Sequence, residues 1–75
     1  MTKLPLLSAH KVIKALSSIG FQVVSQKGSH IKMKRKTSNR TLTVIIPNYT
    51  EIPVGTLRSI LRQANLTLEN FVKLL

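Results

Sequence analysis

The spacing of apolar residues predicts an α+β domain of two layers, in the order α-β-β-β-α with a short C-terminal helix. Three observations carry that prediction. Val12, Ile13, Leu16 and Ile19 recur at helical spacing, two runs within residues 30–46 alternate with period two, and Leu57, Ile60, Leu61 and Ala64 return to helical spacing. A three-stranded antiparallel sheet with helices on one face is the architecture that satisfies this order.

Each element has its own local reason. Ser8 is placed to N-cap a helix over residues 9–19, and Gly20 to end it. Residues 21–27 are rich in strand formers, and Lys27-Gly28-Ser29 reads as a tight turn in which Gly28 takes a positive φ. Residues 30–35 then alternate, with Ile31 and Met33 on one face and His30, Lys32 and Lys34 on the other. Polar turn residues 36–39 lead into a third strand over residues 40–46, where Leu42, Val44 and Ile46 share a side. After a loop over residues 47–51, Pro53 suits the first turn of a second helix, because its missing N–H costs little there. Arg58 and Arg62 fall on that helix's exposed side, and Asn65 is suited to the left-handed position that ends it. Thr67 caps a final helix containing Phe71, Val72, Leu74 and Leu75. There is no internal repeat, low-complexity tract or linker, so residues 1–75 are read as one domain.

Composition narrows the function classes. Hydrophobic residues make up 43% of the chain, ample for a core, and the absence of cysteine removes disulfides and thiolate zinc sites. No apolar run approaches the ~20 residues needed to cross a membrane. The segment Met1-Thr2-Lys3-Leu4-Pro5 lacks the apolar stretch of a signal peptide, so a soluble cytoplasmic protein is expected. Twelve Lys+Arg against two Asp+Glu give a formal net charge of +10, a field that favours polyanions, nucleic acid first.

Pleat geometry concentrates this charge. If Ile31 and Met33 face the helices, then His30, Lys32 and Lys34 face away, since a one-residue slip would bury the basic side chains. Lys27, Arg35, Lys36 and Arg40 crowd the adjoining turns, which makes Lys27, Lys32, Lys34, Arg35, Lys36 and Arg40 the candidate RNA-binding set. His30 stands at the edge of that surface. Histidine titrates nearest neutrality, so it is the side chain able to take a proton at pH 7. His10, in the first turn of the first helix, is read as an ordinary exposed histidine.

Other chemistries lack their residues. Glu51 and Glu69 are the only carboxylates and lie on different elements, which argues against a two-metal nuclease, and no metal or other cofactor is expected. The chain has no aspartate for a Ser-His-Asp triad and no glycine-rich phosphate loop. Phe21, Tyr49 and Phe71 are too few for a stacking platform along a single strand. RNA carries its own nucleophile in the 2′-OH, so one histidine beside lysines can support metal-free transesterification. The same residues suit a non-catalytic RNA-binding module equally well.

Gly28-Ser29-His30 follows the first helix and strand. Ile52-Pro53-Val54-Gly55-Thr56-Leu57 and Arg58-Ser59-Ile60-Leu61-Arg62-Gln63-Ala64 come after it in order. Together these blocks, within about residues 8–66, resemble the HicA family, the toxin halves of bacterial and archaeal HicA–HicB toxin–antitoxin pairs. The resemblance implies a fold like the double-stranded-RNA-binding domain. It implies an mRNA interferase that cleaves transcripts without the ribosome and is neutralised by a HicB-type antitoxin. It also implies that His30 is the catalytic histidine, with Gly28 and Ser29 completing the motif, and that Pro53 and Gly55 set the start of the second helix. The chain departs from many members in three places. Met33 stands where a bulky aromatic is common, and Asn65 stands where glycine often ends the second helix. Pro47-Asn48-Tyr49 stands where many members have a further histidine, leaving Tyr49, a lysine or solvent as the acid.

Overall fold

The computed structural model describes residues 6–75, so the N-terminal segment read above for a signal peptide lies outside the described residues. The elements are α1 (Ala9–Ser17), β1 (Gln22–Lys27), β2 (His30–Lys36), β3 (Thr41–Pro47), α2 (Val54–Gln63) and α3 (Leu68–Val72). The strands form one antiparallel sheet in the order β1-β2-β3, and the predicted α-β-β-β-α layout with a C-terminal helix is the layout found.

The helix ends obey local chemistry. The Ser8 side chain accepts from the Lys11 N–H at 3.2 Å, as its N-cap role requires. At the other end, the Gly20 and Phe21 N–H groups return to the carbonyls of Ser17 and Leu16, both at 3.2 Å, with Gly20 at φ 104. This is the Schellman arrangement. It closes the helix before the predicted end at residue 19. It also keeps Phe21 out of the strand ladder, because its N–H is already engaged. α2 ends the same way: Asn65, at φ 57, and Leu66 donate to Arg62 and Leu61 at 3.2 and 2.9 Å. Pro53 sits at the N-cap of α2, one residue earlier than expected, and its carbonyl accepts the first helical bond from Leu57.

The core lies between the helices and one face of the sheet. Ile31, Met33, Val44 and Ile46 are buried with Val12, Leu16, Leu57 and Ile60 in one cluster. The buried stripe of α1 is rotated slightly from the predicted one: Ala9 and Ala15 are fully covered, whereas Ile13 and Ile19 are only partly so. α3 belongs to the same core, since Phe71 is 0% exposed and Thr67 caps it by accepting from the Asn70 N–H. β3 runs one residue past its predicted end and takes in Pro47, which is tolerated because β3 is an edge strand. No helix among the described residues is long and apolar enough to cross a membrane.

Candidate nucleic-acid interface

The site begins with the β1–β2 turn. Lys27 pairs with His30, leaving Gly28 and Ser29 as a two-residue loop. Gly28 has φ 59 and Ser29 does not have a positive φ, the pattern of a type II′ hairpin. A second tie holds this turn to the far side of the sheet, because the Ser29 carbonyl accepts from the Asn48 N–H at 2.6 Å. The segment after β3 is pinned again where the Tyr49 carbonyl accepts from Ala9 N–H at 2.9 Å, using a free donor of the first turn of α1. His30 is thus the first residue of the central strand, with Lys27 opposite on one side and Pro47 on the other.

From there the pleat sorts the basic residues. His30, Lys32, Lys34 and Lys36 alternate with buried Ile31 and Met33, so they project from the face that carries no helix. Lys27, His30 and Lys32 line one hollow of that face with Ser25 and Ile45. Lys34 and Lys36 line the next, with Gln22, Val24 and Thr41. Two members of the sequence-derived set lie elsewhere. Arg35 shares parity with Ile31 and Met33, and its guanidinium stem runs beside Gly20 at the end of α1. Arg40 belongs to the β2–β3 turn, where its carbonyl accepts from the Thr37 hydroxyl and N–H, both at 2.8 Å.

His30 also lines a second space, on the side toward α2. This cavity, of about 260 Å³, has His30, Pro47 and Tyr49 on one wall and Thr56, Ser59 and Gln63 on the other. The helical residues recur at i, i+3 and i+7, one flank of α2 beside its buried stripe. Gln63 is held in place, because its Oε1 accepts from the Ile45 N–H of the β3 edge at 3.0 Å. Thr56, Ser59 and Gln63 were not singled out from the sequence. The available signal was their common helical face, but only the rotation of α2 against β3 shows that this face meets His30. Among the described residues, no three His, Asp or Glu side chains come together as a metal ion would require. Glu51 and His10 are exposed and do not line the His30 cavities.

Fold and site together define a class: a small α+β protein that shows a lysine-lined open sheet to solvent, with one imidazole where the sheet meets a helix-walled cleft. Residues 9–66 match the family model of the HicA toxin of bacterial toxin–antitoxin systems. The chain belongs to that family and is a toxin of the toxin–antitoxin kind. No curated protein is similar enough to the sequence to count as a match.

Proposed function

We propose that this toxin is a ribosome-independent mRNA interferase, an endoribonuclease that cleaves RNA by metal-independent transesterification with His30 as general base. The observation that carries this reading is the position of His30 at the junction of the lysine-lined hollow and the cleft under α2. In the proposed step, the imidazole takes the proton of a 2′-OH, and O2′ attacks the adjacent phosphorus. The P–O5′ bond breaks, leaving a 2′,3′-cyclic phosphate and a 5′-OH. Lys27 and Lys32 meet the charge that builds on the phosphorane oxygens, the contribution expected of cations fixed beside a developing oxyanion. The proton for O5′ comes from Tyr49, across His30 in the neighbouring cavity, from a lysine of the hollow, or from solvent. Lys34, Lys36 and Arg40 hold flanking phosphates, while Arg35, on the other side of the sheet, is assigned a smaller part.

The partner in this reading is a HicB-type antitoxin that covers the basic sheet face and keeps RNA from it in the cytoplasm. Complementary charge would speed such an association. The decisive test is cleavage of a mixed-sequence mRNA in EDTA, with the product ends identified. Wild type should leave cyclic phosphate and 5′-OH ends, and His30→Ala should not cut. Equal cutting by both proteins would sink the assignment of His30. Salt-sensitive RNA binding without cleavage by wild type would instead favour a non-catalytic RNA-binding module.

A further inference from the structure

The two spaces that meet at His30 differ in charge. The sheet-face hollow is lined by Lys27 and Lys32, whereas the cleft under α2 contains no lysine or arginine. Apart from His30 at the junction, its polar groups are the neutral side chains of Tyr49, Thr56, Ser59 and Gln63. A polyanion that carries a neutral ring on each repeat is partitioned by such a boundary. Its phosphate goes to the cationic side and its base to the neutral side, with the imidazole between them.

The cleft suits one base. At about 260 Å³ it falls below the ~300–1,000 Å³ of sites for drug-sized ligands. Tyr49, 48% exposed, puts an aromatic side chain in the lining of the cleft, where a planar ring can pack on it. The amide of Gln63 sets the polarity. A backbone N–H has to meet an acceptor, so the Ile45 contact fixes Oε1 toward β3 and turns Nε2 away from it. The group left for a ligand is therefore a donor. At one ring position guanine O6 and uracil O4 present a carbonyl where adenine N6 and cytosine N4 present an amino donor, so a donor that meets this position favours guanine and uracil.

We propose that the cleft between His30 and α2 is a subsite for a single keto base, guanine or uracil, read by Gln63 Nε2 and flanked by the Thr56 and Ser59 hydroxyls. This deepens the RNA-cleaving reading and rests on it for the polymer. The subsite also has a readout that needs no turnover.

Guanosine, uridine, adenosine and cytidine 3′-monophosphates are titrated into the full chain while amide and side-chain NH2 resonances are followed by NMR. The Gln63 NH2 and the Thr56 and Ser59 amides should move with the guanine and uracil nucleotides. Affinity for the adenine and cytosine nucleotides should be about three- to tenfold weaker, the effect of one neutral hydrogen bond. Gln63→Glu keeps an oxygen for the Ile45 N–H but replaces the donor with an acceptor, so the order of the four nucleotides should invert. Cleavage sites mapped on RNA should shift in the same sense. Equal response to all four nucleotides, or an unchanged order in Gln63→Glu, overturns the subsite. If His30-dependent cleavage continues alongside that result, the ribonuclease reading stands without it. If the nucleotides bind as expected but wild type cuts no RNA, the subsite stands and the ribonuclease reading falls.

Discussion

The two edges of the sheet are finished in opposite ways. β3 is closed: Val44 and Ile46 are buried, α2 lies alongside, and the Gln63 amide takes up the outward N–H of Ile45. β1 is open: all its residues are exposed, with Val23 at 51% and Val24 at 50%, and its register breaks between Val23 and Ser25. That break is a bulge at Val24, a device that twists an edge and discourages pairing with another chain. The difference explains why the cleft forms where it does. A strand edge becomes the wall of a cleft where a second element stands beside it, and among the described residues α2 stands beside β3. His30, on the central strand, faces the open sheet on one side and that closed edge on the other.

The largest effect expected at this corner is chemical. His30→Ala should lower the cleavage rate by about 10²–10⁴-fold, the usual contribution of a positioned general base. Its exposure means that stability should change by no more than about 0.5 kcal/mol. His10→Ala, the exposed histidine of α1, should leave the rate unaltered. Comparable losses in the two variants, measured under one set of conditions, would mean that charge or solubility, rather than position, is being read.

The edges themselves should separate next. Ile46→Ala removes a side chain that is 0% exposed and should cost about 2–5 kcal/mol. Val23→Ala, on the open edge, should cost under about 1 kcal/mol. Urea midpoints at matched slopes measure both. A similar loss at Val23 would show that β1 is covered in solution.

Much of this asymmetry was hidden from the sequence, and the reasons are physical. The alternation of Ile31 and Met33 with His30, Lys32 and Lys34 was legible because a slipped register would bury cations. The helix ends were legible too, since Ser8, Gly20, Asn65 and Thr67 act through bonds to near neighbours. Val23 and Val24 were legible as strand residues, but their exposure was not, because strand propensity is the same whether or not a helix layer reaches them. Arg35 is a related case. Its nearness in sequence to Lys34 and Lys36 groups it with them, while its parity puts it on the opposite face. The role of Gln63 was out of reach, since the β3 edge it serves is 18 residues away.

The turn that presents His30 offers a smaller and cleaner contrast. A Cβ added at Gly28 or at Gly55 would meet nothing within 4 Å, so crowding is absent at both. Gly28 has φ 59 in a type II′ turn, a region sparsely open to L side chains, and Gly28→Ala should lose about 1–3 kcal/mol. Gly55 lies in α2 without a positive φ, so neither crowding nor backbone strain requires glycine there. Gly55→Ala should stabilise the protein by about 0.4–1 kcal/mol. Opposite signs in thermal melts would confirm that backbone conformation alone distinguishes these glycines.

The smallest effect tests the open face against the rest of the basic surface. Net charge alone would make every lysine equivalent at long range, and screening within about 8–10 Å at ordinary salt removes that equivalence. Only a cation in contact with phosphate releases a counterion, and each such contact on single-stranded RNA contributes about 0.7 to the slope of log affinity against log salt. Lys32→Ala, in the hollow beside His30, should therefore flatten that slope by about 0.7. Lys14→Ala, on α1 beside the apolar groove formed with Leu74 and Leu75, should leave it unchanged. The measurement is RNA affinity across a salt series for wild type and both variants, with His30→Ala as the background so that cleavage does not intervene. Equal slopes for the two lysine variants would assign RNA binding to diffuse charge. A flatter slope for Lys14→Ala alone would move the RNA path from the sheet to α1.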